Sequence, residues 1–80
     1  SYLLVIRTDS TKDEEAILEE VKLIYGKYTL RNKTVKDNSL DLTLEVRSKN
    51  DKSLMVNKIK DIESVKSVIL LSHNGDYISE

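Results

Sequence analysis

No cysteine occurs among the 80 residues, which excludes disulfides, thiolate metal sites and cysteine nucleophiles. The single histidine, His73, is too few for a zinc site built on several histidines. Phe and Trp are absent, so the aromatic residues on which RNA-recognition folds stack bases are scarce. Neither sign of charge is in excess: 13 Lys and Arg against 14 Asp and Glu give a net charge of −1. That balance argues against a nucleic-acid binder. No apolar run approaches the ~20 residues needed to span a bilayer.

What is present is a soluble globular composition, 39% hydrophobic and 34% charged. A chain of this length forms one domain with a thin two-layer core and little room for a deep catalytic cleft. The only methionine is Met55, and the chain opens on Ser1 immediately before an apolar run. Ser1 is therefore read as a cloning remnant, and residues 2–78 as a single domain cut from a longer protein.

Tyr2-Leu3-Leu4-Val5-Ile6 is a short apolar run that predicts a strand buried on both faces, ended by Arg7-Thr8-Asp9. Ser10-Thr11 then opens a helix. Thr11 and Glu14 have capping-box spacing, and Asp13, Glu14 and Glu15 load the first turn with negative charge. Ile17, Leu18, Val21, Ile24 and Tyr25 share one helical face, and Gly26 stops the helix. Tyr28 to about Lys36 predicts a polar edge strand whose charge discourages aggregation. Asp37-Asn38-Ser39 is a turn, and Leu40 to Arg47 alternates apolar and polar residues without a break.

Asn50 or Asp51 is the expected cap of a second helix, with Met55, Val56, Ile59 and Ile62 on its apolar face. Val65 to Ser72 predicts the last main strand. His73-Asn74-Gly75-Asp76 predicts a turn, with Tyr77-Ile78 as a short extra strand or a loose end. The order is β-α-β-β-α-β, in two halves joined by a hairpin. It predicts an α+β, ferredoxin-like plait with antiparallel sheet order 4-1-3-2 and both helices on one face.

The other sheet face is open, and the alternation of the third strand assigns it. Asp41, Thr43, Glu45 and Arg47 point to it, as do Leu3, Val5 and Arg7 of the first strand and Ile69 and Leu71 of the last. Leu3, Val5, Ile69 and Leu71 would form one aliphatic patch of a size that usually marks a partner. The expectation is that a second copy or another part of the parent chain covers it. The alternative is that Tyr77-Ile78 folds back over it. Leu23 lies opposite the apolar face of its helix, a lone exposed leucine of the ordinary kind.

The chemistry of other small plaits lacks its requirements here. The first loop, Thr8-Asp9-Ser10-Thr11, has no paired thiolates for copper and no glycine-rich phosphate cradle. The third strand offers Thr43 and Glu45 where stacking aromatics would be needed. His73 is the only candidate base and sits in a turn signal. Carboxylate runs such as Asp13-Glu14-Glu15 read as helix capping and solvated surface. No catalytic residue, metal site or cofactor is assigned, and the expectation is a non-enzymatic protein.

The spacing Val65-x-x-Val68-x-Leu70 followed by Ser72-x-Asn74-Gly75 resembles the ending of ACT and ACT-like regulatory domains. Together with Tyr2 to Arg7 and Leu42 to Arg47, the span from Tyr2 to Tyr77 is similar to the soluble C-terminal domain of bacterial integral membrane proteins. These carry a few N-terminal membrane helices and a cytosolic ACT-like tail, an arrangement comparable to MgtC-type proteins. The resemblance implies a regulatory or oligomerisation domain, cytoplasmic or at the cytosolic face of a membrane. It implies a homodimer, or docking to the rest of the parent chain. It also implies, as an alternative, an amino-acid-type effector bound at the first strand–helix loop, where Asp9, Ser10 and Thr11 stand. The proline and glycine usual in that loop are missing here. Glycine allows close approach of a ligand to the backbone.

Overall fold

Strand β1 (Tyr2–Thr8) runs two residues past its apolar run. A computed structural model describes residues 1–48, 53–72 and 77–79 of the chain. Leu4, Ile6 and Thr8 of β1 are fully buried on one side. Leu3 and Val5 on the other side are only half-buried. The strand is thus buried completely on one face, not both, because a single helical layer covers the sheet.

The chain next makes a 3-10 turn (Thr11–Asp13) and helix α1 (Glu14–Tyr25). The cap falls to Ser10, whose hydroxyl oxygen accepts from the Lys12 backbone N–H at 3.2 Å, rather than to Thr11. Glu14 instead pairs with Lys33, at 2.9 Å from its Nζ. α1 buries Ile17, Val21 and Ile24, with Leu18 and Tyr25 packed against them, as their spacing predicts.

Gly26 ends α1 with φ 84° and ψ −54°, while its N–H donates to the Lys22 carbonyl at 2.8 Å. A Cβ at this position would meet nothing within 4 Å. The requirement for glycine is therefore conformational and not steric. Gly26→Ala is expected to destabilise the domain by about 1–2 kcal/mol, the penalty of a left-handed backbone on an L-residue. Thermal denaturation followed by far-UV circular dichroism should show a lower Tm with no change in the folded spectrum.

Strands β2 (Tyr28–Lys36) and β3 (Ser39–Val46) form a hairpin across a two-residue turn in which Asp37 has φ 55°. β2 is the outer strand and almost wholly exposed. Its register against β3 shifts between Leu30 and Asn32, a bulge centred on Arg31. β3 alternates as predicted: Leu40, Leu42, Leu44 and Val46 are buried, and the residues between them are half-buried.

The second helical segment is a 3-10 turn (Ser53–Val56) followed by the one-turn helix α2 (Asn57–Lys60). Val56 and Ile59 are buried, and Met55 and Ile62 pack against the core. The expected caps Asn50 and Asp51 lie outside the described residues. Strand β4 (Val65–Ser72) follows, and β5 (Tyr77–Ser79) pairs antiparallel with its outer edge. The predicted turn at 73–76, with His73, also lies outside the described residues.

The sheet order is β2-β3-β1-β4-β5, the ferredoxin-like 4-1-3-2 arrangement with one short strand added. The fold is α+β with an antiparallel sheet. β5 extends the sheet in its plane and does not cross the open face, so the alternative in which Tyr77-Ile78 folds back over that face is not realised by the backbone. No helix among the described residues is long and apolar enough to cross a membrane.

Candidate functional site

Two regions carry the residues singled out from the sequence. The first is the open face of the sheet. In the antiparallel registers, Leu3 stands opposite Leu71 and Val5 opposite Ile69. All four are half-buried, and the intervening positions Leu4, Ile6, Val68 and Leu70 are in the core. The topology therefore brings the four aliphatics together as one block. Their partial burial comes from each other and from neighbouring strands, since β1 lies between β3 and β4, and β4 between β1 and β5. Among the described residues, the most exposed large apolar ones lie elsewhere: Leu23 and Leu54 at 80% and 82%, Leu30 and Val35 at 47% and 55%. The open-face block is thus continuous but laterally screened, and leaving it in water costs less than four isolated aliphatics would.

Two ion pairs stand on the charged half of the same face. Arg7 lies opposite Asp41 in the β1–β3 register, and its Nε donates to Asp41 Oδ1 at 3.1 Å. Arg31, at the bulge, donates from Nε to Glu45 Oε1 at 2.7 Å and also from Nη2. Both acidic side chains of β3 on this face therefore hold an arginine.

The second region is the first strand–helix loop, where Asp9, Ser10 and Thr11 stand. Thr8 and Asp13 at its two ends and the Asp9 N–H reach the loop that precedes β4, while Asp9 itself is exposed. Thr8 Oγ1 sits 2.9 Å from both the carbonyl oxygen and the hydroxyl of Ser64. The Ser64 hydroxyl donates to Asp13 Oδ2 at 2.6 Å. The Ser10 N–H donates to Thr8 Oγ1 at 3.3 Å, and the Asp9 N–H to the Ser64 carbonyl at 3.1 Å. Asp9 pairs with Lys66 at 3.2 Å. Thr11 is exposed.

These bonds clasp the β1–α1 connection to the α2–β4 connection. Two shallow clefts flank the clasp, one of about 260 Å³ bounded by Asp9, Asp13, Glu63, Ser64 and Lys66, the other of about 280 Å³ bounded by Asp9 to Lys12 and Asn38. The same residue types that suggest an effector site here hold the fold together.

A larger cleft that the sequence reading did not single out, of about 470 Å³, lies at the opposite end of the sheet. It runs from the α1–β2 connection onto the open face of the hairpin, bounded chiefly by Tyr25, Lys27, Tyr28, Arg31, Glu45 and Arg47. Its components are distant in the chain and meet because Tyr28 pairs with Val46 and Thr29 with Glu45. The signal was the Tyr25-Gly26-Lys27-Tyr28 segment, in which both tyrosines look like core residues when only the helix and strand periods are considered. Among the described residues no group of three or more His, Cys, Asp or Glu gathers to hold a metal ion. Comparison with protein-family models, with curated proteins and with solved structures gives no match to this chain.

Proposed function

We propose that the domain is a non-catalytic, ACT-like regulatory or oligomerisation module that acts by pairing with a second copy of itself through the open sheet face. The observation that carries this reading is the cross-strand block Leu3–Leu71 and Val5–Ile69. A two-fold axis through that block would lay the aliphatics of one copy on those of the other. The flanking charges favour a second copy over a charged partner, because Asp41 and Glu45 each already hold an arginine. Across these two ion pairs, two such faces meet without like-charge repulsion.

Size is adequate for a weak association. Four strands about 4.8 Å apart and some seven residues of about 3.3 Å each give a face near 20 by 23 Å. Stacking two of them buries on the order of 1,000 Å², the low end for specific interfaces. A ligand would regulate such a module only by binding the paired and unpaired states with different affinity.

Sedimentation velocity from about 10 to about 500 μM covers the affinity range expected of an interface this small. The wild-type chain should shift from monomer to dimer across that range. Leu3→Glu and Ile69→Glu should each remain monomeric, with circular dichroism confirming that they fold. A wild-type chain that stays monomeric throughout, or folded variants that still dimerise, would sink the reading.

A further inference from the structure

The cleft at the α1–β2 end lies outside the aliphatic block of the sheet face, and its lining is unlike that of the other clefts. It holds two aromatic rings, three cationic side chains and one carboxylate. Arg31 and Glu45 form an ion pair. Lys27 and Arg47 are exposed and make no ion pair among the described residues. Among the described lining residues the balance is therefore two positive charges in excess, on a protein whose net charge is −1. The C-terminal end of α1 contributes about half a negative charge at the same place, which the two cations outweigh. Tyr25 and Tyr28 pack against the core at the floor, so their rings are held in place and do not need to be ordered by a ligand. The volume lies within the range of small-molecule sites, roughly 300–1,000 Å³.

We propose that this cleft binds a small organic anion, with a planar ring seated against Tyr25 and Tyr28 and a phosphate or carboxylate group held by Arg47 and Lys27. The guanidinium of Arg47 has the fork geometry that suits either oxyanion. Arg31 is kept from folding over the site by its pairing with Glu45. The bulge at Arg31 interrupts the β2–β3 register beside the cleft.

Amide shifts in 1H–15N NMR spectra of the whole chain test this, with adenosine monophosphate and benzoate as ring-bearing anions. Adenosine and benzamide serve as their neutral counterparts. One or both anions should move the amides of Gly26, Lys27, Thr29 and Arg47 with saturation in the millimolar range. Preference for the first assigns a phosphate head, and preference for the second a carboxylate. The neutral counterparts should bind far more weakly. Arg47→Gln should weaken binding about 10-fold, as expected on losing a charge-assisted pair, without lowering Tm. Ile69→Glu, on the far side of the face, should leave binding unchanged, which separates this site from self-association. No shift at about 10 mM anion, equal binding of the neutral counterparts, or full affinity in a folded Arg47→Gln variant would each overturn the proposal.

Discussion

Leu4→Ala should cost the domain about 2–5 kcal/mol, the range for deleting a buried leucine side chain. The choice of Leu4 follows from its place. β1 is hydrogen-bonded on both sides, to β3 and to β4, and Leu4 stands between Leu44 and Leu70, with all three buried. Its side chain is fully buried beneath the helical layer. That layer is thin where α2 has only a single turn, so few groups can shift to fill the void. A domain of 80 residues has a total stability of about 4–12 kcal/mol. The variant should therefore be partly unfolded at 37 °C. Urea denaturation followed by circular dichroism should show a much lower midpoint with a similar m-value. Leu23→Ala, at an 80% exposed position, should change stability by less than about 0.5 kcal/mol. Equal effects from the two would mean that Leu4 is not at the centre of the core.

Thr8→Val should cost about 2–3 kcal/mol although the two side chains have nearly the same shape. Thr8 is the one buried polar residue among the described residues, and its hydroxyl joins the Ser10 N–H to Ser64. Removing the hydroxyl leaves the part-buried Ser10 N–H without its acceptor and the fully buried Thr8 site without its bonds to Ser64, and the cost of such groups is about 1–3 kcal/mol. Ser64→Ala removes the neighbouring hydroxyl and its bond to Asp13. The two changes break one network, so the double variant should be less destabilised than the sum of the singles. A double-mutant cycle in urea should give a coupling of at least about 0.5 kcal/mol. Strict additivity would mean the clasp is not a connected network.

Much of the fold is legible in the sequence because burial and period agree. β3 announces its faces through Leu40-Asp41-Leu42-Thr43-Leu44-Glu45-Val46, and pairing transfers the same parity to β1 and β4. The aliphatic block on the open face follows from that parity alone. Thr8 was legible in principle, since it continues the series Leu4, Ile6. A threonine beside Arg7 and Asp9 nevertheless looks like the end of a strand, because the reason for its burial is Ser64, 56 positions away. The cap illustrates a local ambiguity. Ser10 and Thr11 are both capping residues, and a 3-10 turn between cap and helix moved the cap one position earlier. The bulge at Arg31 carries no glycine or other local mark. The cleft beyond it depends on that bulge and on the hairpin register, neither of which composition or spacing reveals.

The strand order also bears on how the molecule comes apart. The Asp37–Asn38 turn divides the chain into a half with β1, α1 and β2 and a half with β3, α2 and β4. Every ladder among those four strands joins one half to the other: β2 to β3, β3 to β1, β1 to β4. Neither half owns a ladder among these strands, and the second keeps only the short β4–β5 pairing, so neither can hold the four-stranded sheet alone. Cutting the chain at the turn should yield two fragments that are unstructured apart and fold only when mixed. In the intact chain the amides of all four strands should lose their protection against hydrogen exchange in one event, since there is no smaller piece of sheet to fall back on.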